Sequence, residues 1–243
     1  MPHPPLTPMA RLRWDLVRRL LPAERSRVLE VGCGQGAVGV RLAERHVYTG
    51  VELDEASVGV ARERMSQAGL SGRLIHGPVE DLADDEQFDL LCAFEVLEHI
   101  EDDTGALKSW LSRVQPGGKV LFSVPAWQSR FGPMDEAVGH FRRYSPDELT
   151  TVLHDAGVTD VRTQLYGMPL GYALEAVRNQ IARRKAGIRE DTVEDRTAKS
   201  GRLFQPSDLV GPVVMVGTWP FQQIQRAFPR TGTGLVAWGR VPA

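Results

Sequence analysis

Apolar residues follow two alternating patterns along the first two thirds of the chain, and the patterns predict strands and helices in turn. Short continuous apolar runs are typical of buried strands, whereas apolar residues three or four positions apart are typical of helices. The predicted strands are 27–31, 47–53, 73–76, 88–94, 119–124, 158–166 and 235–241. The predicted helices are 10–21, 37–45, 55–68, 103–114 and 146–156. This alternation predicts an α/β fold with a mostly parallel sheet covered on both faces.

Capping residues support several of these boundaries. Asp54 and Ser145 stand where a helix needs a side-chain acceptor at its N-terminus, and Gly69 and Gly157 stand where a helix ends. The segment QPGG at 115–118 predicts a turn between a helix and the next strand.

The alternation stops after residue 166, and 167–232 shows no further strand–helix unit. This segment contains an amphipathic helix at 172–184 and a stretch, 183–202, in which 11 of 20 residues are charged, as in a solvated or mobile linker. An uncharged stretch of 17 residues follows at 209–225, interrupted by glycine and proline. A membrane-spanning helix needs about 20 apolar residues, so this stretch is not predicted to cross a bilayer.

The length of 243 residues predicts one domain with an elaboration. We expect an N-terminal helix in 1–24, a catalytic core in 25–166 and 233–243, and an inserted segment in 167–232.

Charge and cysteine content narrow the function classes. The chain has 29 basic and 31 acidic side chains and a pI near 6.3, which argues against a nucleic-acid partner. Two cysteines, Cys33 and Cys92, are too few for a disulfide framework and are typical of small buried residues. Residues 1–8 contain neither the basic region nor the apolar region of a secretory signal peptide, so we expect a cytoplasmic protein.

The glycine-rich segment EVGCGQG at 30–36 follows the first predicted strand directly. Such a turn lets backbone N–H groups approach a ligand at the start of a helix. Glu52, at the end of the second strand, is placed to accept hydrogen bonds from ribose hydroxyls. The pair indicates a nucleoside-containing ligand. Gly32, Gly34 and Ala37 also satisfy the dinucleotide pattern, so a nucleotide-dependent oxidoreductase is an alternative.

Four sequence blocks together resemble the class I S-adenosylmethionine-dependent methyltransferases. They are VLEVGCGQG at 28–36, GVELD at 50–54, FDLLCAFEVLEHI at 88–100 and LSRVQPGG at 111–118. The resemblance implies a Rossmann-like sheet of seven strands with the last strand antiparallel, and a helical insertion between strands six and seven. An oxidoreductase would leave the third block unexplained.

The resemblance also implies S-adenosylmethionine as cofactor and a role for individual residues. Glu30 and the glycine turn would hold the methionine end, Glu52 the ribose, and the stretch around Val79 the adenine, where Pro78 departs from relatives that often carry Asp. The full implied set is Glu30, Gly32, Cys33, Gly34, Gln35, Glu52, Leu53, Val79, Glu80, Phe94 and Glu95.

A second distinctive block, GHFRRYSPDEL at 139–149, follows the fifth core strand and resembles a sequence found in bacterial members of the family. It supplies an imidazole, two guanidiniums and a phenol, which suit an anionic or hydroxylated acceptor. The predicted acceptor-binding residues are His99, His140, Arg142, Arg143 and Tyr144.

His99 and His140 are the two candidate bases, because an acceptor hydroxyl or amine has to lose a proton. Each of these residues also has a structural interpretation. Arg142 or Arg143 would pair with Asp135 or Glu136, Tyr144 would pack at the helix start, and His99 with Glu98 would cap the next helix.

The predicted function is methyl transfer to an oxygen or nitrogen of a small molecule, by in-line displacement and without a metal. A non-catalytic S-adenosylmethionine-binding partner subunit is the remaining alternative. The insertion is expected to cover the acceptor site, to pack a homodimer, to rest on a membrane through 203–228, or to form an extra helical layer.

Overall fold

The computed structural model describes residues 3–185 and 211–243, and one mixed sheet of seven strands runs through them. The strands are β1 Arg27–Val31, β2 Val47–Glu52, β3 Gly72–His76, β4 Phe88–Phe94, β5 Val114–Pro125, β6 Thr159–Gly167 and β7 Gly232–Arg240. Their spatial order is β3-β2-β1-β4-β5-β7-β6.

The sheet is parallel from β3 to β5, and β7 runs antiparallel to both of its neighbours, β5 and β6. The expected seven-stranded sheet with an antiparallel last strand is therefore confirmed. The strand order reverses between β1 and β4, and open α/β sheets bind ligands in the crevice at the carboxyl ends of strands at such a point.

Helices cover both faces of the sheet. They are α1 Pro8–Leu20, α2 Ala37–Ala43, α3 Glu55–Gln67, α4 Asp103–Leu111, α5 Pro133–Val138, α6 Pro146–Asp155, α7 Leu170–Lys185 and α8 Gly211–Ala227. On one face, Leu107 of α4 and Leu149 of α6 are fully buried against the strands. On the other face, Leu12 of α1, Val40 of α2 and Val58 of α3 are fully buried. Burial of these apolar stripes holds the layers together.

The predicted N-caps are confirmed. The Asp54 carboxylate accepts a hydrogen bond from the Ser57 N–H at 3.0 Å, and the Ser145 hydroxyl accepts one from the Glu148 N–H at 3.2 Å. The Glu148 carboxylate accepts in return from the Ser145 N–H at 2.7 Å, which completes a capping box.

Two local predictions are wrong. The helix predicted over 103–114 ends at Leu111, and residues 115–118 belong to β5 rather than to a free turn. Val114 pairs with Phe88 of β4, and the Gly117 N–H donates to the Val241 carbonyl, so the chain is already held in the sheet there. Gly117 has a φ of 76°, which a glycine adopts without strain.

The predicted insertion between β6 and β7 is helical in the described residues, with α7 after β6 and α8 before β7. Most of the charged stretch 183–202 lies outside the described residues. The uncharged stretch 209–225 largely forms α8, and no helix among the described residues is long and apolar enough to cross a membrane.

Candidate cofactor and acceptor site

A cavity of about 1270 Å³ lies at the carboxyl ends of β1, β2 and β4. The glycine-rich turn after β1 lines one end of it. The other end is lined by α1, by the segment after β4, and by α5 and α7. Because one continuous space joins the two ends, a nucleoside-containing ligand and a second molecule have room to meet in it.

The glycine turn presents backbone to the cavity. Gly32 and Gly34 have φ values of 67° and 51°, in the left-handed region that favours glycine. A Cβ on Gly32 would lie 2.5 Å from Cγ2 of Val96, so the turn packs tightly on that side. A Cβ on Gly34 would meet nothing within 4 Å, so this side of the turn is open to a ligand.

Glu30, at the end of β1, is buried and lines the same end of the cavity. Its carboxylate accepts a hydrogen bond of 2.6 Å from the Tyr48 hydroxyl. Burial raises the pKa of Glu30 to about 7, although the Tyr48 hydroxyl and the Arg13 guanidinium oppose the rise. A cation placed beside this carboxyl would therefore find a partner that ionises near neutral pH.

Glu52, at the end of β2, is oriented by two backbone hydrogen bonds. One carboxylate oxygen accepts from the Gly34 N–H at 2.8 Å and the other from the Asp54 N–H at 3.0 Å. Each carboxylate oxygen has two lone pairs, so both oxygens retain acceptor capacity towards the cavity.

The structure brings most of the predicted cofactor residues to this cavity. Val79, Leu53, Gln35 and Cys33 line it together with the turn and the two glutamates. Glu80 does not line the cavity, because the hydroxyl of Ser109 in α4 donates a hydrogen bond to its carboxylate.

Phe94 and Glu95 occupy the end of β4, beside the open middle of the cavity. Glu95 has a φ of 59°, which turns its side chain out of the strand direction. Its carboxylate accepts hydrogen bonds from the Ser123 hydroxyl at 3.0 Å and from the Tyr166 hydroxyl at 3.2 Å. The Arg13 guanidinium, on α1, lies 3.1 Å from the same oxygen.

The two candidate bases lie against each other. The rings of His99 and His140 meet edge to face, with their centroids 4.6 Å apart. Burial and the neighbouring His140 lower the pKa of His99 to about 4, so His99 is neutral at physiological pH. His140 Nδ1 lies 2.7 Å from Asp135 Oδ1, and its Nε2 lies 3.8 Å from the carboxylate of Glu98.

Asp135 orients His140 and is itself fixed by Arg143. The Arg143 guanidinium donates two hydrogen bonds of 2.8 Å to Asp135 and one of 2.9 Å to Glu175 of α7. Burial alone would raise the pKa of Asp135, but the hydrogen bonds from His140 and Arg143 outweigh it and hold the value at about 2. An ionised Asp135 can only accept, so the neutral form of His140 carries its proton on Nδ1, and its Nε2 lone pair points away from Asp135.

The predicted acceptor residues divide into two groups. His99, His140 and Arg143 line the cavity, although the guanidinium of Arg143 is engaged by Asp135 and Glu175. Arg142 and Tyr144 do not line it: each donates a hydrogen bond of 2.8 Å to Asp103 of α4. Arg142 thus has a structural partner other than the Asp135 or Glu136 named in the alternative, and it is Arg143 that pairs with Asp135.

Several cavity residues carried no sequence signal. Arg13 comes from α1, and Glu175 and Arg178 come from α7, far along the chain from the glycine turn. Their spacing within each helix is that of any amphipathic helix, so only the folded arrangement brings them to the site. Glu98 follows β4 within the third sequence block, and the sequence suggested only a capping role for it.

Comparisons with known proteins agree with this geometry. Residues 8–163 match the family described as "Methyltransferase domain". The chain is 33% identical over 123 residues to a ubiquinone biosynthesis O-methyltransferase of Aromatoleum aromaticum, covering 49% of this chain and 53% of that protein. A protein of the same name from Idiomarina loihiensis is 32% identical over 151 residues, covering 56% and 62%. The chain spans about half the length of the curated relatives it matches.

A solved structure shows the same fold at low identity. The N-methyltransferase NodS of Bradyrhizobium japonicum WM9, in complex with S-adenosyl-L-homocysteine, superposes with a TM-score of 0.57 at 17% identity, covering 97% of this chain and 87% of that one. The family match extends over more than half of the chain and includes all four sequence blocks and the strands β1 to β5. The chain belongs to the class I S-adenosylmethionine-dependent methyltransferases.

Proposed function

We propose that this chain transfers the methyl group of S-adenosylmethionine to an oxygen of a small hydroxylated molecule. One observation carries the proposal: a single cavity joins the residues suited to the cofactor with the imidazole of His140. The Asp135 carboxylate engages Nδ1 of this imidazole, which leaves Nε2 for an acceptor. The curated relatives named O-methyltransferases favour oxygen over nitrogen as the acceptor atom.

The residues at the glycine-turn end suit S-adenosylmethionine. The buried Glu30 carboxyl offers a partner for the ammonium group, and the open side of Gly34 leaves room for the methionine backbone. The two oriented oxygens of Glu52 offer acceptors for the ribose hydroxyls. Apolar contacts from Leu53 and Val79 suit the adenine.

At the other end, His140 is the candidate base. The cofactor supplies an activated methyl group, so the protein has to align the acceptor oxygen and remove its proton. His140 Nε2 takes that proton, and the imidazolium that forms remains hydrogen-bonded through Nδ1 to Asp135, which stays ionised. His99, with its pKa lowered to about 4, is a weaker base and contributes packing and a hydrogen-bonding nitrogen.

A methyl-transfer assay tests the proposal. Wild-type protein is incubated with S-adenosylmethionine and a panel of phenols, catechols, hydroxy acids and amines, and S-adenosylhomocysteine release is measured. We expect turnover with a hydroxylated acceptor. His140→Ala should lower that turnover by ~100-fold or more, a typical contribution of a general base. The matched control is His154→Ala, on the exposed end of α6 outside the cavity, which should leave turnover unchanged.

The same panel separates the other functions. Turnover only with amines would show that the acceptor atom is nitrogen and not oxygen. Tight binding of S-adenosylmethionine without turnover of any acceptor would favour a non-catalytic partner subunit. Binding of NAD in place of S-adenosylmethionine would favour an oxidoreductase, which neither the family match nor the relatives support.

We further propose that α8 is a peripheral membrane contact. Its polar side chains face the protein: Gln225 donates to the Leu12 carbonyl at 2.9 Å, and Arg226 pairs with Asp15 of α1 at 2.6 Å. Its apolar side chains face outwards, with Val216 72% and Trp219 62% exposed. Such an outward apolar face suits the headgroup boundary of a membrane. Residues 203–210 of the predicted contact lie outside the described residues.

Vesicle flotation tests this contact. Wild-type protein should float with phospholipid vesicles and Trp219→Ser should float less, whereas Val177→Ser, an exposed apolar residue on α7, should behave as wild type. Concentration-dependent dimerisation that is lost in Trp219→Ser, without flotation, would instead assign the face to a homodimer. A cytoplasmic location is also a proposal, supported by the free, buried thiols of Cys33 and Cys92.

A further inference from the structure

Glu98 is the most unusual side chain in the cavity wall. It is fully buried, and within the described part of the chain neither of its carboxylate oxygens has a hydrogen-bond partner. A buried polar group without partners is destabilising and is rare in folded proteins. A cation bound here would give both carboxylate oxygens the partner that they lack among the described residues.

Two imidazoles share the space in front of this carboxyl. Glu98, His99 and His140 each offer one ligand atom, and the three atoms lie within 4.8 Å of one another. One of these distances, between Glu98 Oε1 and His140 Nε2, is 3.8 Å. Ligands at ~2.0–2.2 Å from a first-row cation lie roughly 3–3.5 Å apart, so side-chain shifts of about 1 Å would complete the set.

The surroundings of His140 are those of a metal ligand. Its Nδ1–H donates to Asp135 at 2.7 Å, which leaves the Nε2 lone pair directed away from Asp135 and towards the Glu98 side. Asp135 is fixed in turn by the paired hydrogen bonds of Arg143. A carboxylate behind a ligating imidazole sets its tautomer and raises its affinity for metal.

We propose that Glu98, His99 and His140 bind one divalent transition-metal cation of the Mn²⁺ or Zn²⁺ type. Two imidazoles and one carboxylate are a ligand set for such ions, and they leave further coordination positions open. All three residues line the cavity, so the open positions face the space in which an acceptor would bind. In the metal-bound chain, His140 Nε2 is a ligand and does not take the acceptor proton, so the metal-bound form and the metal-free base proposed above are alternative states of His140. The binding of the ion itself does not depend on the proposed methyl transfer.

Direct metal binding by the full chain tests this site. The purified protein is stripped with a chelator, dialysed, and titrated with Mn²⁺ monitored by electron paramagnetic resonance and with Zn²⁺ by calorimetry. We expect one ion per chain at micromolar metal. Glu98→Gln and His140→Ala should each weaken binding by more than ~10-fold, and the surface control His154→Ala should bind as wild type.

Two outcomes would overturn the site. One is a folded wild-type chain that binds neither ion at millimolar concentration. The other is unchanged affinity in both Glu98→Gln and His140→Ala. Circular dichroism establishes that each variant is folded, and the Co²⁺-loaded wild-type protein gives a second readout. Co²⁺ bound by both imidazoles should give visible absorption bands in the wild-type protein. These bands should change in His99→Ala. Because cofactor and acceptor are absent from these titrations, the result is independent of whether methyl transfer is observed.

Discussion

At the scale of single residues, Glu30 shows how burial tunes a carboxyl for a cationic ligand. Its oxygen accepts a 2.6 Å hydrogen bond from Tyr48, and its pKa is raised to about 7 because the side chain is buried. The free protein therefore holds this carboxyl neutral below pH 7 and ionised above it. An ammonium group binds the ionised form, so cofactor affinity is linked to pH.

We predict that S-adenosylhomocysteine binds more weakly as the pH falls below about 7. The affinity should drop by up to ~10-fold per pH unit, because the neutral form of Glu30 has to lose its proton before it can pair with the ammonium. Calorimetric titrations between pH 5.5 and 8.5 measure this. Tyr48→Phe removes a hydrogen bond that lowers the pKa of Glu30, so the inflection should move to higher pH. A flat profile in the wild type would contradict the assignment.

Glu52 gives a second prediction at this scale. Its two oxygens are aimed by the Gly34 and Asp54 N–H groups, and hydrogen bonds to a charged group contribute about 1.5–3 kcal/mol. Glu52→Ala should therefore weaken S-adenosylhomocysteine binding by ~10–100-fold. Glu63→Ala, on the exposed side of α3, is the matched control. Equal affinities for the two variants would remove Glu52 from the ribose site.

At the scale of elements, an ion-pair network ties α5 to α7. Asp135 of α5 pairs with Arg143, which follows the helix, and Arg143 also pairs with Glu175 of α7. Arg143 and Asp135 are both buried. Removing one partner of a buried ion pair leaves the other charge uncompensated, which costs more than the pair contributes when it is intact.

We predict that Asp135→Ala lowers the free energy of unfolding by about 3 kcal/mol, because Glu175 is then the one carboxylate among the described residues that still pairs with the buried Arg143. Urea denaturation measures the change. Asp85→Ala, at an exposed position just before β4, should change stability by less than about 0.5 kcal/mol. If the two variants lose equal stability, the network does not hold α5 in place.

The elements also show what the sequence can predict. The strands β1 and β4 were predicted with their observed bounds, because continuous apolar runs between polar flanks mark buried parallel strands. The helix α8 was not predicted, because most of its apolar side chains face outwards, apart from Phe221, and its buried face carries Thr218, Gln222 and Gln225. A pattern-based prediction assumes the opposite orientation.

The candidate site also has one part that the sequence predicts and one part that it does not. The cofactor end is built from residues at the ends of consecutive strands, such as Glu30 and Glu52, so strand order and motif spacing were enough to propose it. The acceptor end depends on pairs that are distant in sequence, such as Arg143 with Glu175 and Arg13 with Glu95. Charge spacing along the chain carries no information about such pairs, so their roles required the structure.

At the scale of the whole molecule, the topology explains how one cavity comes to have two differently lined ends. The strand order reverses between β1 and β4, which opens the crevice for the cofactor. The α5 segment follows β5, and α7 and α8 lie between β6 and β7. Helices α1, α5 and α7 together build the far wall around Glu98 and His140. The division of the chain into a core and an insertion that governs acceptor choice remains a prediction.

A crystal structure with S-adenosylhomocysteine tests the central claim most directly, namely that one cavity aligns the cofactor with the acceptor end. We expect the amino group beside Glu30, the ribose hydroxyls on Glu52, and the sulfur directed towards the space in front of His99 and His140. A ligand bound outside this cavity, or one whose sulfur points away from the two histidines, would contradict it.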